Sequence, residues 1–223
     1  MMDIKPILFN QPWGFTKLDV FRTCHAKFKY QFIDKLPQKS SAALERGGEI
    51  HEAIESYLNG WASTLPEEVE AWKDALDLIK KEDYHGEKAI GIARDWRILP
   101  DWFHKDTWLR VKMDTYYRSK QRLHVIDYKS GKYRIPSTDQ VELYAIAGVS
   151  IYPDIDEVEA EFWFIDTGDV YKKLYQRQEL IELRKKYENE LDAMYVEAQW
   201  LPQPSSECRW CPYSKTKGGP CRY

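Results

Sequence analysis

The 223-residue chain lacks any apolar run approaching the roughly 18 residues of a membrane-spanning helix, so no membrane partner is expected. The stretch from Met1 to Gly14 has no basic segment leading into an apolar one, which points to a cytoplasmic protein. Repeats and low-complexity segments are absent, and only the Pro- and Ser-rich stretch 201–206 resembles a linker. There is little excess of either charge. With 33 Lys and Arg against 36 Asp and Glu, the formal net charge is -3, unsuited to a protein that coats nucleic acid but compatible with an enzyme whose basic residues line one cleft. A G-x-x-x-x-G-K-[ST] phosphate loop is also missing, because Gly131-Lys132 lacks the upstream glycine and the hydroxyl residue. That excludes ATP-driven unwinding within this chain. Cysteine is scarce, at four, and in a reducing compartment such cysteines are more often ligands or reactive thiols than disulfides.

What is present is ordinary for a folded protein. A hydrophobic content of 43%, with 9 Trp and 15 Tyr, argues for a buried core and against disorder. The length fits one domain, or one with a small appendage. Helical spacing of Leu18, Phe21, Cys24 and Phe28 predicts a helix over 16–30 with Cys24 facing inward. A second helix is expected over 42–59, where Ile50, Ala53, Ile54, Tyr57 and Leu58 form a stripe and Gly60 stops it, and a third over 66–81. The period then changes to that of strands over 88–99, 108–118 and 123–129, read as a meander. Pro136 and Ser137 open a further helix to about Val149, followed by strands over 158–165 and 170–175 and a long helix over 178–199.

The chemistry gathers on a few of these elements. Alternation along 123–129 puts Leu123, Val125, Asp127 and Lys129 on one strand face. A carboxylate and an amine there can hold a divalent cation and orient its water, or form a simple strand-end salt bridge. The preceding strand ends in Asp114, and two hard oxygen ligands suit magnesium or manganese. In the second helix Gly47, His51 and Glu55 recur at steps of four, with His51 a further metal ligand or an ordinary helical histidine. Gln140 and Tyr144 lie one turn apart, although Ser137-Thr138-Asp139-Gln140 also matches a capping box. Trp102, Phe103 and Trp108 can stack on unpaired bases, against a background in which most of the tryptophans are packing. The basic clusters around 22–39, 129–134 and 172–177 read equally well as solvated surface. Cys24 near one end and Cys208, Cys211 and Cys221 near the other are expected to form one metal site joining the N- and C-terminal segments. Four thiolates suit either tetrahedral zinc or a [4Fe-4S] cluster.

Taken in order, Gly47-x3-His51-x3-Glu55, Asp114, Asp127-Tyr128-Lys129 and Gln140-x3-Tyr144 resemble the motifs of RecB-like nucleases of the PD-(D/E)XK superfamily. With the flanking cysteines, and with Thr16-x-Leu18-x2-Phe21-x2-Cys24-x3-Phe28-x-Tyr30, the chain is similar to the iron-sulfur branch, which includes CRISPR-associated exonucleases, their phage relatives and the AddB nuclease domain. Met113 stands where the motif has Pro, and nine residues separate Cys211 from Cys221, a longer interval than usual. The resemblance implies an α/β, restriction-endonuclease-like core with a mixed central sheet flanked by helices. It implies a single domain over 1–223, with 1–40 and 200–223 as a cluster-binding clasp and 41–199 as the nuclease core. His51, Asp114, Asp127 and the Tyr128 carbonyl would ligate Mg2+ or Mn2+, and Lys129 would position the attacking water. Gln140 and Tyr144 would contact DNA or support the site, with Glu55 behind them. Cys24, Cys208, Cys211 and Cys221 would bind a [4Fe-4S] cluster. The expected activity is exonucleolytic hydrolysis of DNA ends or single strands, in repair, recombination, CRISPR adaptation or phage DNA processing, with a helicase, recombination or adaptation protein as partner. The alternative is a DNA-binding or assembly subunit that keeps the fold without cleaving.

Overall fold

The structure is a computed structural model that describes residues 11–38, 42–131 and 138–223. Its helices are α1 (Phe15–Thr23), α2 (His25–Phe28), α3 (Ala42–Leu58), α4 (Glu67–Glu70), α5 (Lys73–Ile79), α6 (Asp139–Ile151) and α7 (Arg177–Val196). The strands are β1 (Tyr84–His85), β2 (Lys88–Ile92), β3 (Leu109–Met113), β4 (Thr115–Ser119), β5 (Arg122–Lys129), β6 (Glu157–Phe164) and β7 (Asp169–Gln176). The chain divides into two compact units, Ser41–Lys185 and the pair Met1–Ser40 with Lys186–Tyr223. Among the described residues, no helix is long and apolar enough to cross a membrane.

The unit Ser41–Lys185 is built on a five-stranded sheet of order β1-β4-β5-β6-β7. Only β5 and β6 run parallel; the other pairs are antiparallel, so the sheet is mixed. A parallel pair needs a long crossover, and α6 supplies it. Helix α6 packs on β5 and β6 and also against β3, which belongs to a separate two-stranded ribbon with β2. Covered on both sides, it is buried continuously from Val141 to Val149. The opposite sheet face carries Ile126, Tyr128 and Trp163, which meet Ile50, Ile54 and Tyr57 of α3 and Trp72 and Leu76 below it. Helices thus flank a mixed sheet on both faces.

The structure departs from the expected strand and helix boundaries. The strand over 108–118 is two strands, because the chain bends at Asp114 and β3 and β4 enter different sheets. The meander becomes a ribbon and a sheet, with the carboxylate at the corner between them. The helix over 66–81 is likewise broken into α4 and α5, where Trp72 turns inward, stacks 4.8 Å from Trp163 and donates its indole N–H to the Ile165 carbonyl at 3.2 Å. The opening of α6 at Pro136 and Ser137 lies outside the described residues, as does part of the basic cluster at 129–134.

In the second unit, α1 buries Leu18, Val20 and Phe21. Phe28 is fully buried and stacks on Trp200 at 5.5 Å, while Trp13 stacks on Tyr187 at 6.3 Å. Cys24 is not part of a continuous helix facing a core. Its backbone is extended (φ -169, ψ 118), separating α1 from α2, and a single π-helical stretch, Lys29–Ile33, follows. Helical spacing alone hid this interruption, because Phe21 and Phe28 remain on the buried side across it.

Candidate active site

Strand β5 delivers two groups to one place by alternation. Asp127 is only 1% exposed, on the face covered by α6, and Lys129 follows at the strand end. Lys129 Nζ lies 2.5 Å from Asp127 Oδ2 and donates to Gln140 Oε1 at 2.8 Å. Gln140 Nε2 donates to Asp127 Oδ1 at 2.9 Å and to the Tyr144 hydroxyl at 2.7 Å. The amide orientation is dictated by its neighbours, since the reverse would set an NH2 against an ammonium. Asp127 Oδ2 makes no hydrogen bond of ordinary geometry despite the close ammonium. We attribute this to an ion pair whose angle is poor and whose attraction is mainly charge.

The second half of the site comes from the bend and from α3. The β4–β5 register pairs Thr115 with Ile126, which sets Asp114 opposite Asp127. Asp114 Oδ2 accepts the Tyr128 N–H at 3.1 Å, and Oδ1 lies 3.4 Å from His51 Nδ1. His51 Nε2 is 2.8 Å from the Tyr128 carbonyl. Helix α3 comes close to the end of β5 at Gly47, where a Cβ would stand 3.3 Å from Ser130 Oγ and the serine side chain would have to shift by a few tenths of an ångström.

The electrostatics follow from this crowding. Burial, and then the charge of Asp114, push the Asp127 carboxyl up to about 6, with Lys129 opposing. Burial works against a protonated His51, but the Asp114 carboxylate outweighs it and raises that imidazole. Burial also raises the Tyr144 hydroxyl well above its usual range. Two carboxylates repelling one another in a buried place favour either a proton or a cation between them.

The structure thus brings His51, Asp114, Asp127, Tyr128, Lys129, Gln140 and Tyr144 together. Glu55 lines the same small pocket as His51, Asp114 and Tyr128. Gln140 is engaged with Asp127 and Lys129, a role that competes with the capping-box reading. Sequence reasoning missed Glu87, which also lines this pocket and pairs with Lys112 at 2.7 Å. Its only signal was its place just before a strand. The oxygen-rich donor set fits a hard divalent cation in kind, although His51, Asp114 and Asp127 do not bring one ligand atom each within 4.8 Å of one another.

Among the described residues the group that does close within 4.8 Å is His124, Glu159 and Glu161. It lies on the other face of β5, since His124 and Asp127 differ in parity. Lys172 Nζ sits 3.0 Å from Glu161, and Arg122 sits 3.2 Å from Glu159. Burial raises the Glu161 carboxyl, but hydrogen bonds from His124, Trp163 and Lys172 prevail and hold it down at about 2. These acids already have cationic partners, and we read them as an ion network.

In the other unit, Cys24, Cys208, Cys211 and Cys221 line one pocket, together with Tyr30 and Tyr213. All four are free and half-buried. The Gln203 and Ser205 backbone N–H groups donate to Cys24 Sγ and Cys208 Sγ, each at 3.4 Å.

The model of the PD-(D/E)XK nuclease superfamily matches residues 12–216. The chain belongs to the PD-(D/E)XK nuclease superfamily. Nucleases of this superfamily typically use Mg2+ or Mn2+, in keeping with the donors described above. Among solved structures, a candidate exonuclease from Eubacterium rectale is similar at 12% identity, with a TM-score of 0.52, covering 93% of this chain and 89% of that one. The protein SSO0001 is similar at 13% identity, with a TM-score of 0.49, covering 91% of this chain and 83% of that one. The Eubacterium likeness is one of fold. A comparison with curated protein sequences finds no match. Met113 is fully buried in β3, and the chain turns at Asp114.

Proposed function

We propose that this superfamily member is a deoxyribonuclease of the RecB-like iron-sulfur branch that hydrolyses phosphodiester bonds at DNA ends. The observation that carries the reading is the Asp127–Lys129–Gln140–Tyr144 network facing Asp114. Asp114, Asp127, the Tyr128 carbonyl and His51 are the groups that would hold the cation. When bound, a divalent cation supplies positive charge at the scissile phosphate and lowers the pKa of its water.

The chain's own residues do the remaining work. Lys129 Nζ donates to Gln140 and pairs by charge with Asp127; its remaining N–H groups are offered to the attacking water and the developing phosphorane charge. Gln140 keeps the ammonium in place, and Tyr144 keeps Gln140 in place. Phe162, whose ring centre is 5.1 Å from Lys129 Nζ, stabilises the charge from below.

For the second unit, the proposed occupant of the thiol pocket is a [4Fe-4S] cluster ligated by Cys24, Cys208, Cys211 and Cys221. Tetrahedral zinc, with Zn–S bonds of about 2.3 Å, would hold its sulfurs about 3.8 Å apart. No three of these thiols lie within 4.8 Å of one another, and the choice of an iron-sulfur cluster over zinc rests on the resemblance of the flanking cysteines. Held by these four cysteines, such a cluster would tie Cys24 to the segment carrying Cys208, Cys211 and Cys221.

The description of the Eubacterium rectale structure as a candidate exonuclease agrees with attack at ends. The test is magnesium- or manganese-dependent cleavage of end-labelled linear DNA beside circular single-stranded DNA of the same sequence. Linear DNA should be degraded from its ends and the circle left intact. Cutting of the circle would sink the exonuclease reading, and tight binding of both without cleavage under either metal would support a non-cleaving subunit.

A further inference from the structure

The loop 93–108, joining β2 to β3, is tied down along its length yet carries Phe103 at its surface, 81% exposed. The Leu99 N–H donates to the Gly91 carbonyl and the Trp108 N–H to the Ile92 carbonyl, both at 2.9 Å. The Phe103 N–H donates to Asp101 Oδ1 at 2.7 Å, and the Thr107 N–H to the His104 carbonyl at 2.9 Å. The loop can lie this close because residue 91 is glycine. A Cβ there would stand 2.6 Å from the Asp101 carbonyl oxygen. Trp96 and Trp108 anchor the loop from beneath, buried edge to face at 5.3 Å. A phenyl ring held in water by so much ordered backbone is preorganised.

A lone exposed aromatic is unremarkable, but Phe103 is not alone. The Arg110 guanidinium carbon lies 5.2 Å from the Phe103 ring centre and 5.1 Å from that of Trp102. Its Nε donates to the Trp102 carbonyl at 3.2 Å, which holds the guanidinium beside both rings. Aromatic faces combined with a planar cation are what stack unpaired bases and neutralise the adjoining phosphates. The location matters as much as the chemistry. Arg110 lies on β3, four residues before Asp114, or about 13 Å of extended chain. Lys112 shares the exposed side of that strand with it.

We infer that Trp102, Phe103 and Arg110 form a base-stacking platform for unpaired nucleotides of a DNA strand whose scissile phosphate lies at Asp114 and Asp127. The substrate is then single-stranded DNA, or a single-stranded tail, because in a duplex the base faces are covered by their neighbours. The position of the scissile phosphate rests on the proposed nuclease reading; the platform itself rests on the loop.

The test is binding of a fluorescein-labelled oligothymidylate to the full chain without divalent cations, so that no cleavage intervenes. Phe103→Ala should weaken binding by about five- to a hundredfold, and Phe103→Trp should restore it. An abasic strand with the same phosphates should bind wild type and Phe103→Ala alike. At 81% exposure, Phe103 can be truncated without loss of core packing; the contact removed is that with Arg110. Equal oligothymidylate affinity for wild type and Phe103→Ala would overturn the platform, whatever the result for cleavage. Loss of binding in Phe103→Ala alongside normal cleavage by Asp127→Ala would instead keep the platform and overturn the placement of the scissile phosphate.

Discussion

Lys129→Ala is expected to lower metal-dependent cleavage by about 100- to 1,000-fold, the scale on which removing one preorganised donor slows a reaction with a charged transition state. The loss should fall on kcat more than on KM, because the ammonium is aimed at charge that develops during attack. Lys129→Arg should not rescue it, since a planar fork cannot reproduce a point donor engaged by Asp127 and Gln140. The pH profile carries a second signature. Asp127 must be ionised to act as a ligand, and its carboxyl, already pushed up to about 6, loses the opposing charge of Lys129 in the variant. Its pKa in the metal-free protein therefore rises further, and at subsaturating metal the acidic limb of kcat/KM moves to higher pH. A limb that stays in place, with unchanged kcat, would contradict the role given to Lys129.

The second large effect concerns the thiol pocket. Protein prepared without oxygen should be brown, and Cys208→Ser should abolish the visible absorption. The same change should destabilise the unit formed by Met1–Ser40 and Lys186–Tyr223, by roughly the 2–5 kcal/mol that loss of a native crosslink costs a small domain. The tie matters because the last residues have little core of their own. After Trp200, only Tyr213 among the aromatic and aliphatic side chains is buried. Iron analysis and thermal unfolding of the two proteins check this. Colourless native protein carrying stoichiometric zinc would refute the cluster while leaving the four-thiol site intact.

The pattern of side-chain alternation made part of the site legible in the sequence. Once 123–129 is a strand, Asp127 and Lys129 must share a face, and Gln140 and Tyr144, one turn apart, must share another. The structure adds that these two faces meet, which spacing does not contain. Helix α3 was equally legible, because its stripe from Ile50 to Leu58 has one period and one stop. Asp114 was found as a strand end, but its position at a corner between two sheets was not, since the apolar pattern continues through Met113 and Thr115 without a turn residue. Cys24 shows the opposite failure. Its neighbours keep helical spacing while its own backbone is extended, so periodicity conceals the break. Glu87 reaches the pocket through the pairing of β2 with β3, which sets Lys88 beside Met113, 25 positions further along the chain. No local pattern marks such a residue.

Asp127 is the residue on which cleavage should depend most directly. Wild type and Asp127→Ala, each with Mg2+ or Mn2+ on end-labelled single-stranded DNA, give the decisive comparison. Wild type should cleave, and the variant should lose cleavage by at least about 100-fold, because the buried carboxylate both binds the cation and anchors Lys129. Cleavage by Asp127→Ala at the wild-type rate, in a chain with unchanged thermal stability, would contradict the account.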